Sequence, residues 1–337
     1  MDKSTAVSFG YAKAAGLLSK AFVKDRTRLL FETESLTDLW GLLFNGPVPA
    51  VPETLLAQQI EDRAFSDFLS QYLFFLNQYD NPPLILTDKI KRFEIENLKE
   101  IIGALSAGEK ELPHLLDLKD FSKINTSAWP ELSKMTAGTQ YSWIKKVPSV
   151  EEQQTLDFKL DLELLRENWK AINSCHGEDK EGHKKLFLDE FIIKNIVWAL
   201  RLELYYEMPR EQIIQNLFYV TDNPDKKDPV AAPAIKVLNY DVNKYEDWEK
   251  WEFAKYLNPY EPGEVWCVNP VWIERRYLAH QAKLAEQIFH QYVMEDAALA
   301  AWFKIKNYEL TCIRTAVERL RLNIGSGEAM EAVGVNG

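Results

Sequence analysis

Three distant segments of this chain carry nearly the same phrase. "RFEIENLKEII" runs from Arg92 to Ile102, "EFIIKNIVWAL" from Glu190 to Leu200 and "NYELTCIRTAV" from Asn307 to Val317. Aligned on the aromatic residue, Phe93, Phe191 and Tyr308 stand together. Ile95, Ile193 and Leu310 follow, then Asn97, Asn195 and Cys312, then Leu98, Ile196 and Ile313, and last Ile102, Leu200 and Val317. Steps of two, three and four between apolar positions put them on one broad face of a helix. The polar faces take Glu94, Lys99 and Glu100 in the first phrase, Lys194 and Arg201 in the second, and Glu309, Arg314 and Glu318 in the third. A chain that says this three times must bury one helical face three times over.

A second match lies upstream of each phrase. "EDRAFSDFLSQYLFFLNQ", "LDFKLDLELLRENWKAIN" and "VWIERRYLAHQAKLAEQIFHQ" each carry an acid near the start (Glu61, Asp157, Glu274) and apolar residues at helical spacing. Asp157 precedes Asn195 by 38 residues, Glu274 precedes Cys312 by 38, and Glu61 precedes Asn97 by 36. The phrases themselves lie 98 and 117 residues apart, a period too long for the common solenoids. The spacing predicts an all-α fold of three similar helical modules arranged pseudo-threefold. Residues 1–147 hold an N-terminal segment and module one, 148–233 module two and 234–337 module three, with the N-terminal helix expected against module three. Breakers fit these limits. "NGPVPAVP" (45–52) is an extended link, since proline fixes φ and excludes helix before it. "YDNPP" (79–83) is a turn, and "PSVEEQQ" (148–154) opens a helix capped by Ser149. "TDNPDKKDPVAAP" (221–233) is a loop between modules two and three.

Charge and composition exclude several classes. The net charge of -11 repels phosphate backbones and anionic lipid. Basic residues gather only in pairs such as Lys145-Lys146 and Lys226-Lys227. No nucleic-acid partner is expected, and any membrane attachment runs through another protein. Three scattered cysteines, Cys175, Cys267 and Cys312, fit a reducing compartment. The first residues lack a signal-peptide pattern and no apolar run approaches the about 18 residues of a membrane span. The expected location is cytoplasmic.

Motifs for chemistry are missing. No glycine-rich phosphate cradle occurs. Gly325 and Gly327 in "NIGSGEAM" read as a left-handed helix stop. "SCHGEDKEGH" brings Cys175, His176 and His183 close, but zinc needs a fourth ligand, and this polar run reads as an exposed connection. His114, His280 and His290 have no nucleophile setting. Asp157, Asp161 and Glu167 lie at helical spacing as solvated charge; an acid–base pair would need two of them in a deep pocket. No catalytic, cofactor-binding or metal-binding residue is assigned. "YEDWEKWEFAKY" sets Tyr245, Trp248 and Trp251 three apart on a helix face, either as core or as a partner-contact strip.

The phrases, taken as "FEIENLKEIIGAL", "FIIKNIVWALRLELYYEMPREQI" and "KNYELTCIRTAVERLRLNIGSGEAM", resemble the three internal repeats of the C-type subunit of V/A-type rotary ATPases, whose eukaryotic counterpart is the d-type subunit. The resemblance spans roughly residues 8 to 330. Its central elements are Asn97-Leu98-Lys99, Asn195-Ile196 and Ile313-Arg314; Cys312 replaces the asparagine of the third repeat and Val197 the base of the second. Tyr11-Ala12-Lys13 stands where the family shows Tyr-Ala-Arg. The resemblance implies a funnel-like body with a central cavity. It implies a non-catalytic part of the rotor on the cytoplasmic side, peripheral to the membrane. Such a part joins the central axle (D- and F-type subunits) to the proteolipid ring for proton or sodium transport, without cofactor or nucleotide. The expected contact residues are Tyr245, Trp248, Trp251, Lys99 and Arg314. Asn97 and Asn195 are expected to bond backbone, because a buried amide must be satisfied. The competing reading is a general helical adaptor with another partner.

Overall fold

Caps and prolines set where the long helices begin. In the computed structural model, which describes residues 1–221 and 227–335, helix α1 (Lys3–Leu18) is capped by the Asp2 carboxylate. Helices α2 (Glu53–Leu76) and α3 (Leu84–Ala107) each start just after an extended proline, Pro52 and Pro83. Helix α4 (Val150–Ser174) opens with a full capping box, Ser149 and Glu152 each satisfying the other's backbone N–H. Helix α5 (Gly177–Leu204) follows, then α6 (Pro270–Gln291), capped by Asn269 with Pro270 in the first turn, α7 (Asp296–Leu322) and α8 (Ser326–Ala332). The three phrases lie on α3, α5 and α7. Among the described residues there is no strand.

The phrase helices stop in related ways. Gly108 after α3 and Asn323 after α7 take left-handed φ of 73° and 54°. In each case the next N–H reaches back five residues, Glu109 to Ala104 and Ile324 to Arg319, both at 3.0 Å. The stop after α7 is therefore Asn323, whose side chain tolerates the left-handed region, and not Gly325, which sits at φ -61° as the cap of α8. After α5 the left-handed residue is Glu207, at 48°.

Two contact units divide the chain. One holds 82–175 and 218–221; the other holds 1–81, 176–217 and 227–335. Helix α4 packs on the phrase helix before it, whereas α6 packs both on the phrase helix before it and on the one after it. In the smaller unit α4 lies on α3. Ile95, Leu98, Ile101 and Ile102 meet Leu156 and Leu160, and the 108–149 segment adds Ile124, Leu132, Met135, Tyr141 and Ile144.

In the larger unit α6 lies on both α7 and α5, α2 on α7, and α1 on α7. The α2–α7 seam is aromatic: Tyr72 meets Phe303 at 4.7 Å between ring centroids, Phe68 meets Phe303 at 5.2 Å, and Phe75 lies nearly perpendicular to Trp302 at 5.0 Å. Helices α5 and α7 touch in parallel. Asp179 accepts from the Ala297 N–H at 3.0 Å, 118 positions apart, and Glu190 bonds Lys304, 114 apart. That offset brackets the 117 that separates Asn195 from Cys312, so two phrase helices lie side by side near their repeat register. Gly182 permits the approach, because a Cβ there would meet the Ala297 Cβ at 2.7 Å.

The segment holding His183 is not an exposed connection. Helix α5 begins at Gly177, so the polar run forms its first turns. His183 is fully buried, 3.2 Å from Asp179. Of the expected 221–233 loop, residues 222–226, with Lys226 of the basic pair, lie outside the described residues, and Ala231–Val237 is helical.

Candidate functional site

The repeated asparagines tie down the chain that follows each phrase helix. Asn97 is an amide clamp: its Nδ2 donates to the Leu116 carbonyl at 2.9 Å and its Oδ1 accepts from the Leu116 N–H at 2.7 Å. Asn195, fully buried, donates to the Val230 carbonyl at 3.2 Å. A thiol cannot make these bonds, and in the third phrase the task moves one turn back. The Tyr308 hydroxyl donates to the Val333 carbonyl at 3.0 Å, while Cys312 is buried beside it. Burial pushes that thiol up to about 12, which leaves it unreactive. Phe93, Leu98, Phe191, Ile196 and Ile313 are core residues.

Removing the clamp tests this directly. Asn97→Ala leaves the Leu116 N–H and carbonyl without their partner and is expected to cost about 1–3 kcal/mol. Native-state hydrogen exchange at the Leu116 amide should speed up accordingly. Unchanged protection would show that the clamp does not hold this segment.

Two phrase acids are not on the polar face. Glu94 and Glu309, each one residue past the aromatic, are buried. Glu94 accepts from the Lys123 N–H and, at 3.2 Å, from the Tyr141 hydroxyl; Glu309 accepts from the Phe22 N–H at 2.6 Å. Burial pushes the Glu94 carboxyl upward against the pull of its donors. A buried carboxylate is tolerated where it satisfies buried backbone. The signal in the sequence was an acid recurring beside the aromatic in two phrases.

The bases and the upstream acids form a second repeated contact. Lys99 on α3 reaches Asp161 at 3.2 Å and Asp157 at 3.7 Å on α4. Arg201 on α5 reaches Glu274 on α6 at 2.7 Å. Arg314 on α7 lies 3.8 Å from Glu61 on α2. Each phrase helix thus offers a base to the acid at the matching place of the long helix packed on it. Val197 stands where the second phrase lacks its base, and Arg201, one turn on, supplies it. These exposed pairs add little stability; their value is in fixing which helix lies on which.

The five expected contact residues differ in their settings. Lys99 and Arg314 are engaged within their own units. Trp248 and Trp251 are core: Trp248 is fully buried, donates to the Asp241 carbonyl at 2.9 Å and meets Trp251 edge-on at 5.4 Å. The continuous helix expected there ends at Trp248, so the spacing of three does not make a strip. Tyr245 is half-buried, stacked on Tyr260 at 4.4 Å. Asp157 and Asp161 share Lys99 on an open helix face rather than converging in a pocket.

Comparison with known proteins finds matches along nearly the whole chain. The family profile described as "ATP synthase (C/AC39) subunit" matches residues 11–331. An uncharacterized protein of Treponema pallidum (strain Nichols) is 24% identical over 311 residues, covering 92% of this chain and 91% of its own length.

Proposed function

The chain belongs to the ATP synthase (C/AC39) subunit family, and from that membership we propose that it is a non-catalytic rotor subunit of a V/A-type ATPase. It is a socket between the central axle, of D- and F-type subunits, and the membrane proteolipid ring. It passes torque between nucleotide turnover and proton or sodium movement, and binds no nucleotide itself.

The observation that carries this reading is the order of helix pairing. The long helix before phrase two packs on phrase one, the one before phrase three on phrase two as well as on phrase three, and the one before phrase one on phrase three. Each phrase helix carries its base–acid contact. The recurrence of that contact in all three phrases supports three similar helical modules in one chain. Close-packed helices are incompressible, as a part under torque requires. Among the described residues no helix is long and apolar enough to cross a membrane, consistent with attachment through the ring. In this reading Lys99 and Arg314 hold the socket wall together rather than touching the axle.

The test is to purify tagged protein from detergent-solubilised cells and identify the chains that come with it by mass. Recovery of axle subunits with a small, very apolar proteolipid is the expected result. Recovery of neither, from cells shown to contain assembled ATPase, overturns the coupling role.

A further inference from the structure

We propose that the C-terminal tip of α5, with Tyr205, Tyr206 and Glu207, is a docking surface for a basic, amphipathic segment of another protein.

Tyr205 and Tyr206 end the second phrase helix with their rings 59% and 66% exposed, more open than any other aromatic side chain among the described residues. Burying such rings needs a partner, because nothing in their own unit covers them. The surroundings say what kind. Glu203, Glu207 and Glu211 flank the pair. Of the nearby bases, Arg201 pairs with Glu274, while Arg210 donates to the Leu238 carbonyl and its charge also acts on Glu203. A helix C-terminus adds its own negative end. Glu203 holds one carboxylate oxygen, Oε2, buried and without a hydrogen-bond partner, and burial raises its pKa.

Aromatic faces and carboxylates together suit Lys or Arg, which stack on the rings and pair with the acids, while aliphatic residues of the same segment cover the tyrosines. Glu207 also keeps a left-handed φ of 48°, a conformation usually left to glycine or asparagine. Strain of this kind persists where a side chain has a use. The inference goes beyond the coupling role: it fixes the chemistry of a partner, and stands whether or not that partner is the axle.

The probe is a fluorescein-labelled amphipathic peptide of about 14 residues, leucine and arginine at helical spacing, titrated against the full chain and followed by anisotropy. A matched peptide with glutamate for arginine is the control. Binding of the arginine peptide alone is expected. Tyr205→Ser with Tyr206→Ser should weaken it about tenfold, whereas Val265→Ser, at a fully exposed residue, should not. Glu207→Gly keeps the turn, since glycine accepts its φ, and should weaken binding while leaving the melting temperature the same or higher. Equal binding of both peptides, or variants that bind as tightly as the parent, overturns the proposal. Recovery of ATPase subunits alongside that outcome would remove this surface and leave the coupling role intact.

Discussion

Trp302→Ala is expected to cost about 3–5 kcal/mol, the range for removing a large buried aromatic. Trp302 is fully buried on α7. Its ring stacks with Tyr72 at 6.3 Å and Phe68 at 6.0 Å and lies nearly perpendicular to Phe75 at 5.0 Å, all on α2. Those three positions lie three and four apart, so one face of α2 closes on one side chain. Truncation forfeits the transfer free energy and leaves a cavity that two long helices cannot collapse into. Trp302→Phe should cost far less. The indole N–H has no partner, so losing it sacrifices no hydrogen bond, and a phenyl ring keeps most of the contact. Urea unfolding followed by far-UV circular dichroism checks both. Because two contact units need not unfold together, the first transition is the one to read. An alanine variant within about 1 kcal/mol of the parent would mean that the α2–α7 seam is not a core contact.

Much of this fold was legible because a repeat is a strong constraint. Helical spacing around Phe93, Phe191 and Tyr308 placed three long helices. Ser149 marked a helix start because its hydroxyl can do one job there. Asn97 and Asn195 drew attention as amides on an apolar face, and both bond backbone. The pairing of helices was not legible. An amphipathic pattern says that a face is covered but not by what, and the natural guess, that neighbours in sequence form a module, places α4 with α5 rather than with α3. The acids Glu61, Asp157 and Glu274 were visible as a register, yet the partners of Asp157 and Glu274 lie in the preceding repeat and that of Glu61 lies in the third. Tyr245, Trp248 and Trp251 read from spacing either as core or as a contact strip, and Trp248 and Trp251 are core. A spacing of three fits a helix face, but this helix stops at Trp248 and the rings turn inward. Glu94 and Glu309 read as solvent-facing because a charge usually faces water; the N–H groups of Lys123 and Phe22, the Tyr141 hydroxyl and the Lys306 ammonium that hold them in place are not visible as partners in the sequence.

The same logic makes Glu190 the most informative charge to remove. It is buried on α5 between Lys194, 2.7 Å away on the same helix, and Lys304 on α7. Lys304 is itself largely buried and lies 4.8 Å from the Phe187 ring centroid. Burial pushes the Glu190 carboxyl upward, but the two ammonium groups outweigh it and hold the carboxyl well below the usual range. A depressed folded value means stability present above the unfolded carboxylate value of about 4.3 and lost as pH falls toward the folded one. Glu190→Ala takes the carboxylate from a buried ammonium and is expected to cost about 3–5 kcal/mol at neutral pH. Between about pH 4 and 2 the parent loses its advantage, so the gap between the two should narrow. Glu190→Leu combined with Lys304→Met replaces the pair by apolar volume and should recover most of the loss, because desolvating two charges is then unnecessary. Melting curves of the parent and both variants between pH 2 and 7, roughly the window those values set, decide the matter. A gap that stays constant with pH would show that Glu190 contributes packing rather than charge. A double variant no better than the single one would show that the ion pair is needed for the in-register contact of α5 and α7.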